Sequence, residues 1–173
     1  VDNDGASADD LQGGTNTGAG DTLNTTSIAS GATIDLSTGA QTIDTGDSIA
    51  GFENVVAGGG DDTIRGDDAV ANTIAAGGGD DTVYLGDDYA NDLLSGGSDT
   101  NGDTLNASEV ASGVTIDLAA NTVGGNSVIS GFEHVVGTQT QIQSRHHPRI
   151  TQLMQARAQI ALLQAMAMML LMA

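Results

Sequence analysis

Single apolar residues, separated by glycine-rich polar segments, recur along the middle of the chain. The sequence AGGGDDTIR at residues 57–65 returns as AGGGDDTVY at residues 76–84, 19 residues later, and weaker relatives begin at Gly66 and Gly86. Each unit has nine or ten residues: a polar turn, an Asp or Asn, and an apolar residue two positions further on. Because successive strand side chains point to opposite faces, a strand of two or three residues turns only one apolar side chain inward. The pattern therefore predicts short strands joined by tight, glycine-rich turns.

These units predict a stacked coil. One unit buries too little apolar surface to fold alone, whereas units stacked at strand spacing form a thin continuous core. Two units make one turn of a flattened coil, so residues 19 apart lie above one another. We expect Asp62 to stack on Asp81, and Asn72 on Asn91. The expected core residues are Ile64, Ile74, Val83 and Leu93.

Stacked carboxylates in such a coil need a counter-charge. Two carboxylates at a strand spacing of about 4.8 Å repel each other unless a cation lies between them. Carboxylate and turn-carbonyl oxygens are the ligands that Ca²⁺ accepts. The alternative is a Gly/Asp-rich linker that never folds, but a linker does not require an apolar residue two positions after each Asp.

The two AGGGDDT copies resemble the RTX (hemolysin-type) calcium-binding nonapeptide G-G-x-G-x-D-x-U-x of secreted bacterial proteins. The resemblance implies an all-β fold, a parallel β-roll or β-helix solenoid that binds Ca²⁺. Ala57 and Ala76 depart from the motif, since each replaces its first Gly. The implied main site consists of Asp62 and Asp81 with turn carbonyls near Gly58, Gly60, Gly77 and Gly79. A weaker site, or none, is expected at the other edge, which carries Asp68, Asn72, Asp88 and Asn91.

Two longer modules, at residues 21–56 and 103–136, flank the short repeats of residues 57–94. Each begins with DTLN, continues through TIDL and ends in GFE-x-VV. The alternation around Asp35 and Asp117 predicts half-buried strands, and Phe52 and Phe132, in matched positions, predict core anchors. The modules resemble segments found between RTX blocks, so the β-roll is expected to span residues 1–138. The acids that open the modules, Asp21 and Asp103, are either further ligands or solvated turn acids.

Charge and residue composition disfavour several kinds of partner for this chain. The formal net charge of −19 and the pI of about 4.1 disfavour nucleic acid and anionic membranes as partners. The chain has no Cys, so a secreted form would depend on a metal instead of disulfides. It does not begin with Met and shows no signal peptide, which predicts a fragment of a larger parent polypeptide.

Residues 139–173 differ from everything before them, because they contain no Gly, Asp or Glu. Their Ala/Leu/Met/Gln run predicts at best a helix, too short to insert across a membrane. A reading-frame slip is the alternative. From Thr138, the third base of each codon joined to the first two of the next permits Ala-Asp-Ala-Asp-Thr-(Val/Ile), in register with residues 59–64. In that case the tail is not part of the fold.

No catalytic constellation emerges, so we do not expect an enzyme. The chain lacks an HExxH motif, and its paired carboxylates lie in polar turns without an apolar pocket. The expected function is Ca²⁺ binding that drives the folding of an extracellular segment of a secreted protein; the resemblance implies type I secretion. The alternatives are a structural or adhesive spacer of a surface protein, and an appendage of a secreted hydrolase or epimerase whose catalytic domain is absent. The oligomeric state stays open.

Overall fold

The structure, a computed structural model, describes residues 10–15, 20–37, 41–43, 47–124 and 126–137. Within these residues the chain is all-β, which confirms the predicted fold class. The predictions for the tail after Thr138 lie outside the described residues. None of the described residues forms a helix with the length and apolar character needed to span a membrane. The strands are β1 (Asp10–Gln12), β2 (Thr22–Asn24), β3 (Thr33–Asp35), β4 (Gln41–Ile43), β5 (Asp47–Ala50), β6 (Asn54–Val56), β7 (Thr63–Arg65), β8 (Thr73–Gly78), β9 (Thr82–Tyr84), β10 (Leu93–Ser98), β11 (Thr104–Asn106), β12 (Ile116–Asp117), β13 (Thr122–Val123), β14 (Ser127–Ser130) and β15 (His134–Val136).

The strands form two sheets. The first has the order β1-β5-β4-β3-β7-β9-β11-β15, and the second has the order β12-β13-β14-β10-β8-β6-β2. From β6 to β11 consecutive strands alternate between the sheets, so two short units make one turn of the coil, as predicted. The segments at residues 57–62, 76–81 and 99–103, the second of which includes the end of β8, lead from the second sheet to the first, and we call this side the carboxylate edge. The turns at residues 66–72 and 85–92 lead back, and we call that side the amide edge.

Strand register confirms the repeat of 19 residues on the first sheet. β7 and β9 are parallel and pair Thr63 with Thr82 and Ile64 with Val83. Ile64 and Val83 are fully buried. Each three-residue strand thus contributes one apolar side chain to the core, as strand geometry requires.

The predicted core position Leu93 is wrong by one residue. Leu94 is 1% exposed and pairs with Ile74, whereas Leu93 is 50% exposed. The turn before β10 holds one residue more than the 19-residue repeat, so Asp92 lies above Asn72, 20 residues away. Asn91 has φ 76°, the left-handed conformation that Asn tolerates better than most residues.

The two longer modules repeat one topology on opposite sheets. In the first module β3, β4 and β5 form an antiparallel meander in the first sheet, while β2 pairs with β6 in the second. In the second module β12, β13 and β14 form the meander in the second sheet, and β11 pairs with β15 in the first. Phe52 and Phe132 are 3% and 7% exposed and belong to the core, as predicted.

Arg65 is the only Lys or Arg among the described residues. Its guanidinium lies 4.4 Å from the centroid of the Tyr84 ring. It also forms ion pairs with Asp35 (3.5 Å) in β3 and with Glu109 (2.6 Å). Arg65 therefore links neighbouring strands on the outer face of the first sheet.

Candidate metal centre

Glycines shape the turns of the carboxylate edge. Gly60, Gly77 and Gly79 have φ values of 89°, 110° and 137°, which residues with a Cβ rarely adopt. A Cβ at Gly77 would clash with the carbonyl oxygen of Gly58, and a Cβ at Gly79 with that of Gly60. Successive turns therefore lie in backbone contact, and the carbonyls predicted as ligands stack along the edge.

A ladder of acidic side chains runs along the same edge. Oδ1 of Asp62 accepts the backbone N–H of Ala32 (2.6 Å), and Oδ1 of Asp81 accepts that of Asp62 (2.7 Å). Oδ1 of Asp103 accepts the N–H of Asp81 (2.7 Å), and Oε2 of Glu133 accepts the N–H of Asp103 (3.0 Å). Each acid thus binds the backbone of the turn before it, so the predicted stacking of Asp62 on Asp81 is confirmed.

For two of these acids, no hydrogen-bond partner of the second carboxylate oxygen is found in the part of the chain that the structure describes. Asp81 and Asp103 are 1% and 0% exposed, and the Oδ2 atom of each is buried without a hydrogen-bond donor among the described residues. A buried carboxylate oxygen without a partner is costly and requires a proton or a cation. A Cβ at Gly96 would lie 2.5 Å from Oδ2 of Asp103, so the backbone of strand β10 passes close to this oxygen.

The protonation of these acids reflects that environment. Burial raises the pKa of Asp81 to about 6, and the nearby acids Asp62, Asp61 and Asp80 act in the same direction. Burial likewise raises the pKa of Asp103 to about 6, together with the charges of Asp81 and other nearby acids. The folded environment therefore disfavours the ionised forms of Asp81 and Asp103.

Three carboxylates converge at the last turn of the ladder. Ligand oxygens of Asp99, Asp103 and Glu133 lie within 4.8 Å of one another, and among the described residues this is the one group of three or more potential ligand side chains so arranged. The donors are all oxygen atoms, with Asp103 buried and Asp99 exposed. This set suits a hard cation such as Ca²⁺ better than a metal that prefers nitrogen or sulfur ligands.

Asp80 holds the loop that carries Asp99. Its carboxylate accepts the backbone N–H groups of Thr100 (2.9 Å) and Asn101 (2.8 Å) and the Nδ2–H of Asn101 (2.5 Å). Donors from Asn101, followed by Thr100, lower the pKa of Asp80 to about 2. Nε2 of His134 lies 3.1 Å from the carbonyl oxygen of Asn101. The loop is thus fixed on two sides, and Asp99 is positioned beside Asp103.

On the amide edge, it is mainly amide side chains that form the hydrogen bonds to the backbone of neighbouring turns. Oδ1 of Asn54 accepts the N–H of Thr73 (2.8 Å), and Nδ2 of Asn72 donates to the carbonyl of Glu53 (2.8 Å). Oδ1 of Asp92 accepts the N–H of Asn72 (2.9 Å), and burial raises the pKa of Asp92 to about 6. This edge carries less negative charge in its ladder, because Asn replaces Asp at two of these three positions.

The predicted site residues fall on both edges. Asp62 and Asp81 come together with the turn glycines, as expected. The predicted stacking of Asn72 on Asn91 is wrong, because Asp92 occupies that place and Asn91 is exposed. Asp68 and Asp88 are exposed, although their charges act on Asp92.

Sequence reasoning missed Asp80, Asp92, Asp99 and Glu133, and left the role of Asp103 open. One signal was present: Glu53 and Glu133 occupy the same place in the two GFE motifs. In the first module Oε2 of Glu53 accepts the N–H of Asp21 (2.8 Å), matching the Glu133–Asp103 contact. Thr17, four residues before Asp21, corresponds in sequence to Asp99, four residues before Asp103, so the sequence that precedes the first module carries no acid at that position.

Comparisons with protein-family models, with curated proteins and with solved structures gave no match for this chain.

Proposed function

We propose that the chain binds Ca²⁺ along the carboxylate edge and that binding supplies free energy for folding an extracellular segment of a larger secreted protein. The observation that carries this proposal is the pair of buried Oδ2 atoms on Asp81 and Asp103, which have no donor among the described residues. Each of these two carboxylates has one oxygen bonded to a backbone N–H and a second oxygen that is buried without a donor among the described residues. Burying two such charges in successive turns is energetically unfavourable. A cation beside both oxygens removes this cost.

The chemistry of the edge favours calcium among the biological cations. Asp81, Asp103, Glu133 and Asp99 offer carboxylate oxygens, and the stacked glycine turns offer carbonyl oxygens. Ca²⁺ accepts six to eight oxygens in flexible geometry, whereas Mg²⁺ demands a tighter octahedral shell and retains its waters. The formal charge of −19 adds a general attraction for cations and opposes compaction when none is bound.

Coupling between binding and folding follows from the thin core. Each short strand buries one apolar side chain, which stabilises the fold by about 1.5–3 kcal/mol, whereas ordering each residue of a turn costs about 1–2 kcal/mol. A site assembled only in the folded coil converts binding free energy into folding free energy. Affinities of about 10⁻⁴ to 10⁻³ M, typical of extracellular calcium modules, suit a protein that folds only outside the cell. The RTX resemblance supports type I secretion as the export route.

Far-UV circular dichroism of the full chain tests the proposal. In excess chelator we expect a disordered spectrum, and a β signal should appear as Ca²⁺ is raised to about 10 mM, well above the expected dissociation constant. Mg²⁺ at the same concentration should produce little change. A β-rich spectrum in chelator that Ca²⁺ leaves unaltered would show that packing alone holds the coil, and the proposal would be wrong.

A further inference from the structure

The two long modules share one backbone frame around the pair of acids that each brings together. Oε2 of Glu53 accepts the N–H of Asp21 (2.8 Å) in the first module, and Oε2 of Glu133 accepts that of Asp103 (3.0 Å) in the second. The backbone carbonyl of each Asp accepts the N–H of its Glu in return, at 3.2 and 3.1 Å. The first pair lies on the amide edge, where Nδ2 of Asn72 donates to the carbonyl of Glu53. The same local fold thus occurs once on each edge.

A glycine of the preceding segment packs against this pair in each module. A Cβ at Gly96 would lie 2.1 Å from the carbonyl oxygen of Gly131 and 2.5 Å from Oδ2 of Asp103. In the first module the nearest atom of Asp21 to a Cβ at Gly13 would be its own Cβ, at 3.0 Å. Of the two modules, the second is therefore the one that turns a carboxylate oxygen toward the glycine and a neighbouring carbonyl oxygen.

Burial separates the two aspartates further. Asp103 is 0% exposed, whereas Asp21 is partly exposed. Oδ1 of Asp103 accepts the N–H of Asp81 (2.7 Å), while its Oδ2 is buried and has no hydrogen-bond partner among the described residues. A buried carboxylate oxygen in this state requires a proton or a cation. Oδ2 of Asp103 is therefore the oxygen left for a ligand.

A third acid stands beside the pair in the second module. Ligand oxygens of Asp99, Asp103 and Glu133 lie within 4.8 Å of one another. Residues 13–20, which lead to Asp21 in the first module, contain no Asp or Glu. Carboxylates that share a site repel one another unless a cation lies between them. Asp99 therefore raises the local demand for a multivalent cation above that of the pair alone.

The loop that carries Asp99 is ordered by the protein itself. The Asp80 carboxylate accepts the N–H groups of Thr100 (2.9 Å) and Asn101 (2.8 Å), and Nε2 of His134 lies 3.1 Å from the carbonyl oxygen of Asn101. A ligand loop that is already ordered loses less conformational entropy when it binds. Asp99 is thus placed beside the pair before an ion arrives.

We propose that Asp99, Asp103 and Glu133 hold one Ca²⁺ ion as a discrete site, separate from the Asp62–Asp81 step of the carboxylate edge, and that Asp99 sets its affinity. The inference rests on the proposed function, since it assumes that this edge binds Ca²⁺, and it adds where one ion lies and which acid determines how tightly. The carbonyl oxygen of Gly131, beside Oδ2 of Asp103, is a fourth donor. Water completes the shell of six to eight oxygens on the side of the exposed Asp99.

An ion at this site joins three segments of the chain. Asp99 lies between β10 and β11, Asp103 directly precedes β11, and Glu133 directly precedes β15. β11 and β15 are paired in parallel, with Thr104 opposite His134. The ion therefore lies where these two strands begin and holds the returning strand of the second module to the last short repeat.

Calorimetry with Ca²⁺ on the full chain and three single-charge variants tests the site. Asp99→Asn removes the exposed ligand and leaves the core intact. Glu133→Gln keeps an oxygen that can accept the N–H of Asp103 but removes the charge, and Glu53→Gln makes the same change in the first module as the matched control. We expect each of the first two variants to weaken one Ca²⁺ site by at least about tenfold. The control should stay within about twofold of the unmodified chain.

Paramagnetic broadening of amide NMR signals locates the ion independently. Mn²⁺ accepts the same carboxylate and carbonyl oxygens as Ca²⁺, so a small fraction of Mn²⁺ is added to the full chain folded in Ca²⁺. Signals of residues 97–103 and 131–135 should broaden. In Asp99→Asn this broadening should weaken, whereas any broadening at residues 57–62 should persist.

Two results would contradict the site while leaving the proposed function standing. One is Ca²⁺ binding by Asp99→Asn equal to that of the unmodified chain, with Mn²⁺ broadening confined to residues 57–62 and 76–81. The other is an equal loss of affinity in Glu133→Gln and Glu53→Gln, which would show a general effect of charge. If the unmodified chain bound no Ca²⁺ up to about 10 mM, the proposed function would itself be wrong, and the site with it.

Discussion

Oδ1 of Asp103 accepts the backbone N–H of Asp81 at 2.7 Å, although 22 residues separate the two acids in the chain. The contact fixes one carboxylate oxygen of Asp103 against the preceding turn and leaves its Oδ2 buried without a donor among the described residues. The same contact that aligns the acids along the carboxylate edge therefore also leaves a buried carboxylate oxygen that a proton or a cation would stabilise.

The Asp81 side chain has two roles, since it accepts a backbone hydrogen bond and carries a buried negative charge, and replacing it with Asn separates them. Asp81→Asn retains an Oδ1 that can accept the N–H of Asp62 but removes the buried charge. We expect the chain in chelator to gain β signal, because a buried charge is removed, and Ca²⁺ binding to weaken by at least about tenfold, or 1.4 kcal/mol. Calorimetry measures the binding, and far-UV circular dichroism in chelator measures the β signal.

Asp87→Asn is the matched control. It also removes one negative charge, but Asp87 is exposed on the amide edge, where its Oδ1 accepts the N–H of Ala111 (2.7 Å). Equal losses of Ca²⁺ affinity in the two variants would point to a general charge effect and would contradict a site at the carboxylate edge.

Stability without calcium should depend on pH. The pKa values of Asp81, Asp92 and Asp103 are raised from 3.8 to about 6 in the fold, so the folded state binds protons more tightly than the unfolded state. The resulting stabilisation is fully present below the ordinary value and is lost as pH rises through about 6. In chelator the far-UV β signal should therefore be stronger near pH 4 than near pH 7.5, where we expect a disordered chain.

Calcium should reverse this preference, because the metal and the protons compete for the same oxygens. The apparent affinity for Ca²⁺ should rise as pH increases from about 5 to 7. A pH-independent affinity over that interval would mean that the buried acids are not the ligands.

The turn glycines provide a second matched pair. Gly79→Ala places a Cβ at φ 137° and against the carbonyl oxygen of Gly60, so we expect a loss of about 2 kcal/mol or more in Ca²⁺-loaded unfolding. Gly59→Ala places its Cβ no closer than 3.9 Å to its neighbours and should cost less than about 1 kcal/mol. Similar losses in both variants would contradict the described turn geometry.

The revised register of β10 is testable in the same way. Leu94 is 1% exposed and Leu93 is 50% exposed. Leu94→Ala should therefore cost about 2–5 kcal/mol, whereas Leu93→Ala should change stability by no more than about 0.5 kcal/mol. If thermal unfolding gave the reverse order, β10 would follow the strict 19-residue repeat.

The sequence was sufficient to predict the short strands, because the apolar residue two positions after each Asp reports strand alternation directly. It placed Ile64, Ile74 and Val83 in the core and stacked Asp62 on Asp81. It failed at Leu93, since the extra residue before β10 is absorbed by the left-handed backbone of Asn91, and a repeat period does not reveal where a turn takes up an insertion.

The full candidate site was beyond local sequence reasoning. Glu133 reaches Asp103 across 30 residues, and this contact depends on the meander that returns the chain to the same edge. Asp99 reaches the site because Asp80 binds its loop. Neither interaction follows from a repeat pattern, because both arise from pairing between distant strands.

Because the long modules lie on opposite sheets, the number of short units between them, odd or even, determines on which sheet the second module lies. Each module begins and ends in one sheet, and the four short strands β7–β10 between them shift the second module to the other sheet. Insertion or deletion of one short unit would rotate every downstream meander by half a turn. Repeat number in such a coil therefore determines which face each module presents as well as length, and evolution by loss or gain of units must proceed in pairs to preserve a surface.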